Sequence, residues 1–244
     1  MIIGLGSHKG GVGKSTIACN LASILAQAGK SVVIADTDEN GSAALWVAAR
    51  TEREDLPQIV FTNAKEVKVL LNTIAAFARA HDFVIVDVRG VNEDRNDRLY
   101  QICDKLIFPV SPSELDLNTL PDIKDYMDEQ KALFDQGTLN KIPDVYYVLT
   151  RVSTTTKKEV PEARTFCRDY DIPLEKILIH DRVIFRSTMA KGLGVIESND
   201  EKAKEEIAAL VKVLLKSPDS VSHKPSPTAK ASHKPSKAGK EINL

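Results

Sequence analysis

Apolar residues fall along positions 1–216 in short, nearly unbroken runs. Longer stretches separate them, in which apolar positions recur every three or four residues. The runs at 2–6, 32–36, 83–87, 106–110, 145–150 and 177–180 are rich in Val, Ile and Leu. Continuous hydrophobicity over so few residues predicts strands covered on both faces. The stretches at 15–28, 41–50, 64–80, 95–103, 117–134, 157–170 and 201–216 predict helices. In the last of them Ile207, Leu210, Val211 and Leu214 share one face. Asn63 stands where a side-chain cap for the third helix belongs. Strand–helix alternation predicts an α/β fold: a doubly wound, mostly parallel sheet with right-handed crossovers and helices on both faces. Such sheets take their ligands beyond the carboxyl ends of the strands. The chemistry is therefore sought in the residues that leave those ends.

The pattern stops near residue 216. Residues 217–244 are rich in Pro, Ser and Lys, and SHKPSPTAKA at 222–231 is followed by the near-repeat SHKPSKAGKE at 232–241. So little apolar surface cannot offset the entropy of ordering, which predicts a disordered tail after a folded domain spanning 1–216. The net charge is −1 over 244 residues; five lysines against two acids put +3 on the tail and leave −4 on 1–216. That balance excludes nucleic-acid binding through bulk positive charge and leaves only a local cluster to do it. The tail reads first as solvated chain and second as a weak electrostatic tether. No apolar run approaches the roughly 20 residues of a membrane-spanning helix, and the N-terminus lacks the basic-then-apolar order of a signal peptide. Cys19, Cys103 and Cys167 lie far apart and form no CxxC pair, which argues against a disulfide framework, a zinc ribbon or an iron–sulfur site. A cytoplasmic protein is expected.

The first strand runs into Ser7-His8-Lys9-Gly10-Gly11-Val12-Gly13-Lys14-Ser15-Thr16 and then into a helix. Gly10, Gly11 and Gly13 permit a tight turn that aims successive N–H groups at one point. The following helix adds the positive end of its dipole. Lys14 can set an ammonium against the β- and γ-phosphates of a nucleotide, and the Ser15 hydroxyl can ligate Mg²⁺. Strand, glycine loop, Gly-Lys-Ser-Thr and helix occur in the order a P-loop NTPase requires. His8 is expected to hydrogen-bond within the loop.

Acids leave the next strand ends. The second strand closes Ile34-Ala35-Asp36-Thr37-Asp38, two carboxylates on one side of an extended chain. Phe83-Val84-Ile85-Val86-Asp87 is four apolar residues and an acid, a strand whose Asp orients Mg²⁺ or its waters. It continues Val88-Arg89-Gly90, where the Gly90 N–H fits a γ-phosphate sensor. Trp46, Tyr146, Tyr147 and Cys19 read as packing residues.

Lys9-Gly10-Gly11-Val12-Gly13-Lys14-Ser15-Thr16 resembles the deviant phosphate loop of ParA/MinD-type ATPases, and the likeness extends over about residues 1–215. Ile107-Phe108-Pro109-Val110-Ser111-Pro112 and 183–197 look like the corresponding segments of short plasmid-partition ParA proteins. The resemblance implies ATP and Mg²⁺ as cofactors, a phosphate cradle spanning Lys9 to Thr16, and Pro112 framing the base. It implies that Lys9 reaches across a nucleotide-sandwiched homodimer to the partner's phosphates. Asp36 would stand near Mg²⁺, Asp38 would activate water, and Asp87 would be the acid of the third strand. It further implies ATP-dependent binding of nonspecific DNA through Arg182, Arg186 and Lys191, with Lys157 and Lys158 as second choices. Hydrolysis, slow alone, would be stimulated by a centromere-binding ParB-type partner, making the protein nucleoid-associated. No room precedes the first strand for a helix-turn-helix domain, so operator binding is not expected. Alternatives are a ParA-like ATPase that positions a protein cargo and a MinD-like membrane-positioning ATPase. The prolines of the tail argue against an amphipathic membrane helix, hence against a membrane partner. An iron–sulfur carrier lacks its cysteine pair, and a tyrosine-kinase relative would need a Tyr-rich tail.

Overall fold

A computed structural model describes residues 1–7, 9–37, 41–63, 67–88 and 94–216 of the chain. Seven strands, β1 Ile2–Leu5, β2 Val32–Asp36, β3 Val60–Asn63, β4 Phe83–Asp87, β5 Lys105–Val110, β6 Asp144–Val152 and β7 Leu174–His180, form one sheet in the order β3-β2-β4-β1-β5-β6-β7. Every neighbouring pair is parallel. The helices are α1 Lys14–Gln27, α2 Ser42–Thr51, α3 Val67–Ala80, α4 Asp94–Ile102, α5 Glu114–Leu117, α6 Leu120–Asp135, α7 Glu159–Asp169, α8 Val183–Met189 and α9 Glu201–Leu214. A 3-10 turn covers Val195–Glu197.

The predicted α/β class, the parallel sheet and the strands from the central runs are present. β1, β2, β4 and β5 are buried along their whole length, as their unbroken apolar sequences require. Alternate side chains feed two cores. Ile34, Ile85 and Ile107 pack with Ile17, Leu21, Trp46, Ile207 and Leu210 on one face. Val33, Val84, Val86, Leu106 and Phe108 pack with Leu70, Ile74, Leu99, Ile123 and Ala163 on the other.

Three local expectations are corrected. Val60–Asn63 is an edge strand that was not expected, with Asn63 in register with Asp36; residues 64–66, where the third helix was expected to begin, lie outside the described residues. The half-exposed side chains of β3 deny it the apolar run that marks a central strand. The helix expected over 117–134 is present as α6, starting three residues later, and the short α5 before it was not expected. Ser113 caps α5, its Oγ accepting the Asp116 N–H at 3.3 Å, and Pro121 starts α6 in the first turn, where a missing N–H costs nothing. Finally, α8 and the 3-10 turn were not expected; they are too short to show a period.

A buried ion pair ties this last region to α2. Arg50, 1% exposed, donates to both Glu197 oxygens at 2.7 and 3.0 Å, to Gly192 O at 3.1 Å and to Pro57 O at 3.0 Å. It lies over the Trp46 ring, whose Nε1 donates to Leu193 O at 3.0 Å. Gly192 is held at φ +68, and a Cβ there would fall 2.3 Å from Arg50 N, so the chain passes too close for any side chain. From α1, Asn20 Oδ1 accepts the Val195 N–H at 2.7 Å. Residues 190–197 are thereby fastened to α1 and α2 together.

Burial pushes the Glu197 carboxyl up. Hydrogen bonds from Arg50, Gln27 and the Gly194 N–H, with the Arg50 charge, outweigh it and hold the group below its ordinary 4.5. A depressed carboxyl pKa stabilises fully above the unfolded value and is lost as pH falls through the folded one. Urea midpoints should thus decline with acid below about pH 4.5. Glu197→Ala, which strands a buried guanidinium, should cost about 3 kcal/mol at pH 7 and flatten that acid limb.

Candidate functional site

The carboxyl ends of β1, β4 and β2 lie side by side in the centre of the sheet. Leu5 is in register with Asp87, and Asp87 with Asp36. The Thr37 N–H donates to Asp87 O at 3.1 Å and the Val88 N–H to Leu5 O at 3.2 Å, which locks the three ends together. Asp36 and Asp87 are 2% and 4% exposed. Two carboxylates side by side in so dry a place call for a cation.

That cation comes from the loop after β1. Gly11 and Gly13 turn it at φ +80 and +97, and Gly13 caps α1 in the left-handed conformation. Lys14, the first residue of α1, is buried, with Nζ donating to Lys9 O at 3.1 Å. Burial lowers the Lys14 pKa from 10.5, and the Asp87 charge opposes the shift. Further along α1, burial pushes the Cys19 thiol well up and the Asp87 and Asp36 charges add to it, which keeps it an inert core residue. A cleft of about 600 Å³ opens beside the loop, walled by Gly11, Gly13, Lys14, Ser15 and Thr16. Its other wall is Ser42, Leu45 and Trp46 of α2 with Arg186, Met189 and Ala190. Trp46 is 1% exposed, so its principal role is packing.

The remaining residues are placed as follows. Lys9 donates through Nζ to Leu115 O and to Asp116 Oδ1, the latter at 3.2 Å. Pro112 is half-buried in the turn between β5 and α5 and is not one of the residues that wall the cleft. Arg182 pairs with Glu206 at 2.7 Å, and Glu206 also takes His180 Nδ1 at 2.8 Å. Arg186 pairs with Asp181 at 2.7 Å. Lys191 is exposed, as are Lys157 and Lys158. The three cations expected to form a DNA patch are thus not equivalent: two have acids as partners, and one of those two lines the cleft. Asp38, His8, Arg89, Gly90 and the tail 217–244 lie outside the described residues. Thr150 and Arg151, at the end of β6, were not singled out from sequence, yet they touch the loop. Thr150 Oγ1 donates to Val12 O and Arg151 Nη1 to Gly11 O, each at 2.8 Å. A Thr-Arg pair at the end of a strand carries no signal by itself.

The donor set fits a magnesium nucleotide. Adding a Cβ at Gly10 or Gly13 would meet nothing within 4 Å, so the loop stands clear on that side. The hard oxygens of Ser15, Asp36 and Asp87 suit Mg²⁺. Among the described residues no three His, Cys, Asp or Glu side chains converge as a metal cage. A cation that keeps its waters and shares phosphate oxygens needs none.

Residues 3–195 match the CobQ/CobB/MinD/ParA nucleotide binding domain family. The chain belongs to this family. Its ParA/MinD members are ATPases of the P-loop fold described above. The chain is 27% identical over 205 residues to the maintenance of carboxysome distribution protein A of Gloeobacter kilaueensis, covering 84% of this chain and 88% of that one. A ParA family ATPase of Chlorobium tepidum superposes with a TM-score of 0.68 at 16% identity, over 86% of this chain and 98% of that one. A Borrelia burgdorferi protein, described as a plasmid partition protein and bound to AMPPNP, does so with 0.62 at 15% identity, over 88% and 99%. At such identities the two structures speak to the fold. No helix among the described residues is long and apolar enough to cross a membrane.

For this ParA/MinD-family chain the lowered Lys14 pKa carries a sign. The penalty of burying the ammonium is complete at neutral pH and fades as pH climbs from the lowered pKa toward 10.5. Lys14→Met removes that penalty together with the cation facing Asp87, so the melting temperature of the ligand-free chain should change little at pH 7. The same variant should lose the rise in melting temperature that Mg-ATP gives the wild type. Differential scanning calorimetry with and without nucleotide reads both.

Proposed function

We propose that the chain is a DNA-partition ATPase: bound to ATP it dimerises and holds nonspecific DNA, and hydrolysis, stimulated by a centromere-binding ParB-type partner, releases it. The observation that carries this reading is the second lysine of the loop. A cation at Lys9, five residues before Lys14, has no use in a phosphate loop that serves one subunit. It has one in a loop that must also neutralise a partner's triphosphate. The Lys9 ammonium is held by Leu115 O and by a partly exposed salt bridge to Asp116, an arrangement weak enough to exchange.

The chemistry is phosphoryl transfer to water, in which positioning and charge neutralisation do most of the work. Lys14 and the N–H groups of 10–16 hold the triphosphate. Ser15, Asp36 and Asp87 would hold Mg²⁺, which would neutralise phosphate charge. Asp38 orients the attacking water, and Pro112 flanks the base. DNA contact falls to Lys191 first, with Arg182 and Arg186 joining where phosphate oxygens compete with Glu206 and Asp181. The protein is then cytoplasmic and nucleoid-associated.

A second reading has its own support. Likeness over most of both chains to a carboxysome distribution protein favours a protein cargo moved by the same cycle. The two readings part on the stimulating partner, which either binds repeated DNA sites or decorates a protein assembly.

Light scattering with Mg²⁺ and a slowly cleaved ATP analogue should show a dimer for the wild type and a monomer for Lys9→Ala. A wild type that stays monomeric at saturation sinks the proposal. Asp38→Ala should keep the dimer and lose turnover. DNA retention should need ATP over ADP, fall steeply with salt, and be lost in Lys191→Glu.

A further inference from the structure

The end of β6 breaks a rule of strand geometry at the place where it meets the phosphate loop. In a regular strand successive side chains point to opposite faces. Thr150 and Arg151 are consecutive and both lie in β6, yet both reach the same loop. The break has a visible cause. Arg151 is at φ +53, a left-handed conformation that a residue with a Cβ enters at a cost, and the pairing of β6 with β7 shifts register between Leu149 and Val152.

The carbonyls they hold are also consecutive, Val12 O by Thr150 and Gly11 O by Arg151. In a planar trans peptide the C=O and the following N–H point in opposite directions. Holding the Gly11 and Val12 carbonyls toward β6 therefore turns the Val12 and Gly13 N–H groups away from it. An anion cradle needs that: neighbouring N–H groups facing one way. The Val12 side chain is buried in the core, while the glycines on either side of it have open surroundings. Within 4 Å of a Cβ added at Gly11 the nearest foreign atom is Arg151 Nη1, at 3.9 Å, and at Gly10 and Gly13 there is none.

We propose that Thr150 and Arg151 are positioning residues that clamp two successive carbonyls and so set the amide groups of the phosphate loop for an anion, the left-handed turn at Arg151 being the device that lets both side chains reach it. This rests on the reading of residues 9–16 as a nucleotide cradle. It predicts a defect that belongs to the phosphates and not to the base.

The test uses the full chain and two probes, a fluorescent ATP analogue with Mg²⁺ and inorganic tripolyphosphate as competitor, with thermal melts to verify folding. Arg151→Ala should weaken both probes by about tenfold, the scale of one hydrogen bond to a constrained group. Arg151→Lys, which keeps a donor, should recover most of the loss. Thr150→Val removes a donor without changing charge and should weaken both probes in the same direction. Should it fail to fold, Thr150→Ser, which keeps the hydroxyl, must bind normally, and Arg151→Ala then decides. A loss confined to the ATP analogue would mean contact with base or ribose, and equal losses in Ala and Lys a different role for the guanidinium; either overturns the clamp. Wild-type binding of both probes with Arg151→Ala unimpaired overturns the clamp alone. A wild type that binds neither probe overturns the cradle reading, and the clamp with it.

Discussion

Lys14 is buried beside Asp87, where the carboxyl ends of the central strands meet the phosphate loop. Neither charge would be tolerated there alone: desolvation disfavours the ammonium, and two adjacent strand-end carboxylates repel one another. The sheet brings them together because Asp36 and Asp87 are in register and α1 starts where the loop from the intervening region ends. The result is a desolvated ammonium set beside two buried carboxylates. A magnesium nucleotide bound there would become part of the site's own electrostatics.

From this point the structure spreads the consequences outward along two helices. α1 begins at the phosphate loop and carries Asn20, which fixes the Val195 N–H. α2 follows the acids after β2 and carries Arg50 and Trp46, which hold Glu197, Gly192 and Leu193. Residues 190–197 are thus fastened to both helices. The buried pair of Arg50 and Glu197 contributes more to the geometry of that attachment than to net stability, since its desolvation cost is comparable to its attraction.

The same reasoning separates what was legible in the residues from what was not. The loop from Lys9 to Thr16 could be read because its chemistry is local: glycines that allow positive φ, a lysine and a hydroxyl at set distances along one turn. Asp36 and Asp87 could be read because four apolar residues before an acid mark a central strand and its end. β3 could not, since an edge strand with exposed side chains has no unbroken apolar run. The partners of Arg182 and Arg186 could not either. Glu206 lies on α9, 24 residues from Arg182, and nothing in the chain pattern couples them.

The sequence by itself determined the class of sheet, the central strands and the phosphate loop, because hydrophobic period and backbone permissiveness act between near neighbours. Only the tertiary structure decided which cations are neutralised, that Arg186 faces the cleft, and that Thr150 and Arg151 reach back across 138 and 140 residues to the loop. Those contacts arise from how the strand ends converge. Convergence is a property of the folded sheet, to which no single segment holds the information.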